Sequence, residues 1–306
     1  MNSTSPATVG YEPESGMYYE VLGKARAYPH PILFIHGGGG TGVYWRATLQ
    51  GTAGWADLLA DRGYETWVTD WAGGGRSRHR DIETFEYPDA VEGYIHLLRD
   101  IIRRPVIIVS HSMGGGITWQ LVERLPELVA GVVGIASAYP ANIQRSGTVV
   151  SDDGTLVKAV FADTGLTFYV DRSKSYVYSR DYIEKQAGMN GPLVPEGALE
   201  VALRFPDAMA PRLLLQRIGV LAGMPVVEDP AGFRGKKMRL VAGDFDMAHT
   251  REIDLRTVEL LRSWGADADL VWLPDEGLAG HSHYVMIERG AAEVLDVVTD
   301  QLELMR

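Results

Sequence analysis

A serine between small residues is the position in this chain of 306 residues that most clearly could do chemistry. Ser112 lies in VIIVSHSMGGGITW, where an apolar run ends at Ser110 and a helix-like segment follows. A strand, a sharp turn and a helix in this order form a nucleophile elbow, written G-x-S-x-G, with Ser110 in place of the first glycine. Its small flanking residues keep the hydroxyl clear of the backbone and close to free helix N–H groups. The alternative is a helix-capping serine, but strand, turn and helix occur together and favour a nucleophile.

Partners for this serine occur later in the chain. A serine hydroxyl is a weak nucleophile and needs a base that a third group orients. Asp244 and Asp246 follow a strand-like run in RLVAGDFDMAH, and His281 and His283 lie in LPDEGLAGHSHYVMIER. The chain order serine, acid, histidine is one that such enzymes use. The residues alone leave both pairs open.

A glycine-rich loop follows the first strongly apolar run. Gly37, Gly39 and Gly42 in FIHGGGGTGVYW spell G-x-G-x-x-G, and Asp70 ends the next strand-like run, as in a dinucleotide site. That site needs its third glycine to open a tight helix. Here VYWRATLQGTAG follows, which two further glycines interrupt. We therefore expect a loop at this position and no cofactor, because a single G-x-G-x-x-G is a weak motif.

Taken together, these segments resemble the α/β-hydrolases, and in detail a bacterial esterase branch. That branch reads H-G-x-x-x-T-G-x-x-W-x-x-T-x-x-G-x-x-G-W near its start, S-H-S at the elbow and L-P-x-x-G-x-x-G-N-S-H-M near its end. This chain has HGGGGTGVYWRATLQGTAGW, SHS and LPDEGLAGHSHY. The resemblance covers most of the predicted sheet but not residues 141–234, which we interpret below as a cap, and it implies the α/β-hydrolase fold.

The resemblance also implies roles for individual residues. The catalytic histidine falls on His283, while His281 stands where the branch has Asn and is expected to support the site or contact substrate. Some members take the acid from the strand before the cap, but GIASAYPANI has no carboxylate. Asp246 is therefore the expected acid, and Asp244 could instead hold its loop through backbone N–H groups.

The glycine loop has a use in this superfamily. One oxyanion N–H comes from the loop after this strand and one from the residue after the nucleophile. These positions are Gly38, with Gly39 as its neighbour, and Met113. The implied reaction is hydrolysis of a carboxylic ester or lactone through an acyl-enzyme on Ser112. Asp70, followed by WAGGGRS, resembles a loop-bracing turn of the superfamily.

Other functions remain open at this point. The same three catalytic residues could serve a carbon–carbon bond hydrolase or lyase, or an acyltransferase that excludes water. A protein of another class, which binds a ligand without turnover, is disfavoured by the intact serine, aspartate and histidine.

The elements that must position these residues alternate between strand and helix. This order predicts a mostly parallel, doubly wound α/β sheet, preceded by a short hairpin in MYYEVLGKARAY. Residues 141–234 break the alternation, with a polar start and later helix-like segments. We interpret them as a cap over the carboxyl edge of the sheet, where open α/β sheets bind ligands, rather than as surface helices. The core would then comprise residues 1–140 and 235–306.

Composition limits the partners. The net charge of −11 argues against nucleic acid and anionic membranes, whose phosphates it repels. The absence of cysteine excludes disulfides, thiolate metal sites and a cysteine nucleophile. The N-terminal residues do not resemble a signal peptide, and no apolar run reaches about 18 residues, so we expect a cytoplasmic protein without a membrane partner. A small-molecule substrate is expected, and a homodimer is left open.

The remaining histidines have simpler interpretations. H-x-H at 281–283 and D-x-D at 244–246 could suggest a metal site. Alternate residues of an extended chain face opposite ways, so we expect no metal there. His36 is expected to brace the glycine loop, His111 to pack inside the elbow, and His249 to lie in a loop.

Overall fold

The computed structural model describes residues 7–24, 28–78, 81 and 84–305. Its central feature is an eight-stranded sheet, and a separate three-stranded sheet lies within residues 141–234. The strands are β1 (Thr8–Tyr11), β2 (Tyr18–Leu22), β3 (Ile32–Ile35), β4 (Thr66–Thr69), β5 (Val106–His111), β6 (Val129–Ile135), β7 (Thr148–Asp152), β8 (Leu156–Val160), β9 (Thr167–Asp171), β10 (Lys237–Ala242) and β11 (Asp267–Trp272).

The central sheet has the strand order β1-β2-β4-β3-β5-β6-β10-β11. The pairs β1/β2 and β2/β4 are antiparallel, and the other neighbours are parallel. Every residue of β3, β4 and β5 is buried, so both faces of the sheet centre are covered. This confirms the predicted mostly parallel α/β-hydrolase sheet and places the carboxyl ends of β3, β5, β6 and β10 along one edge.

Helices connect these strands. They are α1 (Trp55–Asp61), α2 (Tyr87–His96), α3 (Gly114–Arg124), α4 (Leu199–Ala202), α5 (Pro211–Arg217), α6 (Arg251–Ser263) and α7 (Ala291–Glu303). Helix α1 packs against α7, and α2 packs against α3. None of the helices described here combines the length and apolar character that a membrane crossing requires.

Local sequence signals explain several helix ends. A reciprocal capping box between Glu86 and Asp89 begins α2. The Thr250 side chain accepts a hydrogen bond from the Ile253 N–H and begins α6. Helix α3 ends at Arg124, two residues before Pro126, because proline cannot continue a helix.

The opening hairpin lies earlier than predicted. It pairs β1 with β2, so MYYEVL supplies its second strand rather than its first. The turn between them depends on Glu12, whose carboxylate accepts hydrogen bonds from the Glu14 and Ser15 N–H groups. Residues 25–27 of the predicted hairpin segment MYYEVLGKARAY lie outside the described residues.

Residues 141–234 lie between β6 and β10 and will be called the cap segment. It begins with the antiparallel sheet β7-β8-β9, which the sequence analysis did not predict, and continues with the short helices α4 and α5. Two of the hydrogen bonds that join it to the rest of the chain run from the Tyr87 N–H to Gln216 Oε1 at 2.9 Å and from the Asp207 N–H to the Gly39 carbonyl at 2.7 Å. The division into core and cap remains our interpretation.

Candidate active site

Ser112 lies on a strained turn between β5 and α3. Its φ of 49° is in the left-handed region, which residues other than glycine adopt only where their surroundings hold them. The Ser112 carbonyl accepts hydrogen bonds from the N–H groups of Gly115 and Ala138, which hold this conformation. A Cβ at Gly114 would come within 2.7 Å of the His36 carbonyl oxygen, so the close turn requires glycine there. The serine side chain is thereby presented at the sheet edge.

His283 joins this serine to an acid. Its Nε2 lies 2.9 Å from Ser112 Oγ, although 171 positions separate the two residues. Its Nδ1 lies 2.5 Å from Asp246 Oδ2. Because an ionised carboxylate can only accept, Nδ1 carries the hydrogen and Nε2 is free to accept the hydroxyl proton. The structure therefore brings the three predicted catalytic residues into one hydrogen-bonded series.

Asp246 is buried and remains ionised. Burial raises its pKa, but the neighbouring His283 and His249 and several hydrogen bonds outweigh this effect and lower the pKa to about 2. The N–H groups of Ala248 and His249 donate to Oδ1 at 2.8 and 3.3 Å. These bonds leave Oδ2 for the imidazole and fix the carboxylate in the plane that His283 needs.

Asp244, the competing acid, has a different environment. It is exposed, and its Oδ1 accepts a hydrogen bond from the Gly280 N–H at 2.6 Å. This bond ties the loop after β10 to the loop that carries His283. Asp244 thus makes the backbone contact proposed for it from sequence, while Asp246 contacts the imidazole.

His281 pairs with a residue that the sequence analysis did not single out. Its Nδ1 lies 2.8 Å from Glu288 Oε1, and the same oxygen accepts the Ser282 N–H at 2.9 Å. Both side chains are buried. His281 is not among the residues that line the cavity at Ser112. Its contacts therefore support the loop that presents His283 rather than a substrate.

The predicted oxyanion positions lie against each other. A Cβ at Gly38 would come within 2.1 Å of Met113 Sδ, so a larger residue there would require the Met113 side chain to move. Among the described residues, no hydrogen bond is found from the N–H of either Gly38 or Met113. The Tyr87 hydroxyl donates to the Met113 carbonyl and fixes that peptide. Gly39 has φ 61°, and its carbonyl accepts the Asp207 N–H of the cap segment.

The glycine loop is braced from β3 and β4. The His36 Nε2 accepts the Trp71 N–H at 3.0 Å. Asp70 accepts the Gly42 N–H at 2.7 Å and forms hydrogen bonds to the guanidinium of Arg76 at 2.8 and 2.9 Å. Burial raises the pKa of Asp70, but these hydrogen bonds and the nearby charges lower it below its ordinary value. His36 and Asp70 therefore make structural contacts of the kind expected from sequence.

Two further histidines contact His283. The His249 ring stacks on the His283 ring with centroids 5.5 Å apart, and its Nδ1 lies 3.0 Å from Asp254 Oδ1. Burial lowers the pKa of His249, but the Asp254 carboxylate raises it above the ordinary value. His111 Nε2 lies 3.0 Å from the His283 carbonyl, and burial keeps its pKa well below the ordinary value. His249 lies in a loop, as expected from sequence, but no sequence signal indicated that its ring stacks on His283.

One group of side chains could hold a metal ion. Ligand atoms of Asp246, His249 and His283 lie within 4.8 Å of one another. This set differs from the H-x-H and D-x-D pairs considered from sequence, since it includes neither His281 nor Asp244. Of these side chains, His283 is hydrogen-bonded to Asp246, and the His249 side chain pairs with Asp254 instead.

A cavity of about 70 Å³ opens beside Ser112. The cap segment supplies most of its wall, and core residues supply the rest. Its lining residues are Ser112, Met113, Ala138, Tyr139, Arg145, Phe161, Leu166, Phe168, Tyr178, Tyr182, Leu214, Arg217, Ile218, Ala248, His249 and His283. A larger cavity of about 470 Å³ lies elsewhere, with Glu14, Glu92 and His96 in its wall and none of the predicted catalytic residues among the described lining.

Comparisons with known proteins agree with this fold. A relative named probable secreted lipase phiG, from Fungal sp. (strain ATCC 74256), is 23% identical over 334 positions, which cover 88% of this chain and 80% of the relative. A bacterial esterase structure superposes with a TM-score of 0.57 at 16% identity, covering 94% of this chain and 85% of its own. A structure from a study of carboxylesterases of the thaumarchaeon Nitrososphaera gargenis gives 0.62 at 15% identity and covers 97% and 98%. A family model described as the alpha/beta hydrolase fold matches residues 30–192, and the chain therefore belongs to the α/β-hydrolase superfamily.

Proposed function

We propose that this chain is a serine hydrolase that cleaves a carboxylic ester or a lactone through an acyl-enzyme on Ser112. The observation that carries the proposal is the hydrogen-bonded series from Ser112 through His283 to Asp246. The similar proteins include one named as a lipase and others described as esterases, which supports acyl-bond hydrolysis as the reaction class.

In the acylation step, His283 Nε2 accepts the hydroxyl proton while Ser112 Oγ forms a bond to the substrate carbonyl carbon. The carbonyl oxygen becomes an oxyanion, which the N–H groups of Gly38 and Met113 stabilise. When this intermediate collapses, the bond to the alcohol oxygen breaks and the imidazolium gives its proton to that oxygen. Asp246 stabilises the imidazolium, since its carboxylate stays ionised.

In the deacylation step, water takes the place of the alcohol. His283 accepts a proton from the water, whose oxygen attacks the acyl carbon. The second oxyanion collapses, the bond to Ser112 Oγ breaks, and the serine recovers its proton from the imidazolium. An acid product leaves, and the enzyme returns to its starting state.

The cavity favours a small substrate. Its volume of about 70 Å³ corresponds to roughly five water molecules, given about 10–15 Å³ for each. A short acyl group suits this space better than a long lipid chain does. We therefore propose short esters and small lactones as the substrates. Separately, the net charge of −11 supports the proposal that neither nucleic acid nor an anionic membrane is a partner. A cytoplasmic location is a further proposal.

A fluorophosphonate probe followed by mass spectrometry of peptides tests the nucleophile. We expect the adduct on Ser112 in the wild type and in the exposed control Ser151→Ala, and no adduct in Ser112→Ala. On a panel of short esters and lactones, Ser112→Ala should lower kcat by at least about 10⁴-fold. Equal, slow rates for wild type and Ser112→Ala on the whole panel would overturn the proposal and favour a ligand-binding protein.

A further inference from the structure

The cavity at Ser112 has two cationic side chains in its wall. They are Arg145, in the loop before β7, and Arg217, the last residue of α5. No aspartate or glutamate is among the described residues that line this cavity. The molecule as a whole carries a net charge of −11, so this local excess of positive charge runs against its composition.

The two arginines differ in what neutralises them. Arg145 forms an ion pair with Asp163 and lies over the Phe161 ring, with its guanidinium carbon 5.5 Å from the ring centroid. Arg217 is half-buried and forms no ion pair with a carboxylate in the described parts of the chain. Its guanidinium carbon lies 4.3 Å from the centroid of the Tyr139 ring.

This environment leaves the Arg217 guanidinium without a carboxylate partner among the described residues. A guanidinium withdrawn from water is costly unless an anion accompanies it, and a tyrosine ring compensates only in part. Burial raises the pKa of the Tyr139 phenol, but the charge of Arg217 outweighs burial and lowers this pKa below its ordinary value. The position beside the cavity makes Arg217 accessible to a ligand.

A carboxylate is an anion that fits this wall. A guanidinium presents N–H donors in a planar fork that matches the two oxygens of a carboxylate. A cavity of about 70 Å³ has room for a carboxylate on a short chain beside the reacting carbonyl. The apolar side chains of Phe168, Leu214 and Ile218 line the same space. They suit the methylene groups that join the carboxylate to the reacting carbonyl.

We propose, on the basis of the serine hydrolase function above, that the substrate is a short ester or lactone carrying a free carboxylate, which Arg217 binds. Arg217 is then a specificity-determining residue that holds the acidic end while the ester carbonyl lies at Ser112. Arg145 supplies a second, partly neutralised positive charge at the same wall.

Paired substrates test this assignment. The monomethyl esters of succinic, glutaric and adipic acid are compared with methyl esters of monocarboxylic acids of the same chain length. We expect the wild type to prefer the acidic ester of best length by at least about 10-fold in kcat/KM. Arg217→Met should lower the ratio of acidic to neutral kcat/KM by about 100-fold, and Arg217→Lys by less. Arg204→Met, which removes an exposed arginine of the cap segment, should leave the ratio unchanged.

Binding to Ser112→Ala separates this proposal from the function on which it rests. Glutarate and monomethyl glutarate should raise the thermal unfolding temperature of Ser112→Ala, and adding Arg217→Met should remove the shift. If no ester is hydrolysed but this shift appears, the carboxylate site stands and the hydrolase proposal fails. If esters are hydrolysed with no preference for the acidic member and no dependence on Arg217, the carboxylate proposal is wrong. Arg217→Lys keeps the positive charge but removes the guanidinium, so it shows whether charge alone is enough to bind the carboxylate.

Discussion

Asp246→Asn isolates the contribution of the carboxylate that holds His283. The amide keeps the size of the side chain but presents an N–H₂ group, so the imidazole loses its acceptor at Nδ1 and its favoured tautomer. We expect kcat for a short ester to fall by about 10⁴-fold with the fold intact. Steady-state kinetics, with circular dichroism to check folding, measures this.

Asp244→Asn is the matched control for that change. The residue is two positions away and exposed, and it accepts a backbone N–H rather than an imidazole. An asparagine oxygen can still accept the Gly280 N–H, so kcat should stay within about threefold of the wild type. A large loss in Asp244→Asn together with a small loss in Asp246→Asn would contradict the assignment of the acid.

At the scale of single residues, the sequence predicted those with a local motif or a chain order. The elbow around Ser112 and the order serine, acid, histidine pointed to the three residues that the structure brings together. Arg217 gave no such signal, because its role depends on a cavity wall that only tertiary packing creates. The stacking of His249 on His283 was missed for the same reason.

At the scale of elements, the link between β4 and the glycine loop depends on a buried charge. Asp70 is fully buried and receives hydrogen bonds from the Gly42 N–H and from Arg76. Asp70→Asn should lower the free energy of unfolding by about 2–4 kcal/mol near pH 7, because the Arg76 guanidinium loses its carboxylate. Urea-induced unfolding at several pH values measures the difference from the wild type.

The pH dependence of this loss has a defined sign. The pKa of Asp70 is lower in the folded state than its ordinary value of 3.8, so its ionised form stabilises the fold above that value. The difference between wild type and Asp70→Asn should therefore shrink as pH falls below about 4. Asp296→Asn, at an ion pair whose carboxylate is 68% exposed, should change stability by less than about 1 kcal/mol. A pH-independent loss at Asp70 would show that its charge does not stabilise the loop.

The elements of the core and the helices of the cap segment followed from hydrophobic pattern, and the sheet of the cap segment did not. The apolar run PVIIVS became β5, because a buried parallel strand is apolar on both faces, and KKMRLVAGD became β10, whose first half alternates between buried and partly buried residues. The sheet β7-β8-β9 was missed, although TVVSDDGTLVKAV has two β-branched runs around a D-D-G turn. All of β7 is exposed, so hydrophobic burial left little pattern there.

At the scale of the whole molecule, the cavity exists only where the cap segment meets the core. Ser112 and His283 come from the core, while the opposite wall comes from β9, α5 and the loops around them. The proposed catalytic groups therefore come from the core, and most of the wall that would contact a substrate comes from the cap segment. Substitutions in the cap segment should change specificity without changing the catalytic residues.

Phe168→Ala on β9 tests this separation. Phe168 is 5% exposed and lines the cavity, whereas Tyr169, the next residue, is 57% exposed on the opposite face of the strand. Removing the ring enlarges the cavity, so kcat/KM for p-nitrophenyl octanoate should rise about 10-fold relative to p-nitrophenyl acetate. Tyr169→Ala removes a similar ring from the outer face and should leave that ratio unchanged. If this ratio rises equally in both variants, protein stability rather than cavity size sets the acyl-chain preference. If the ratio does not change in Phe168→Ala, the acyl group binds elsewhere.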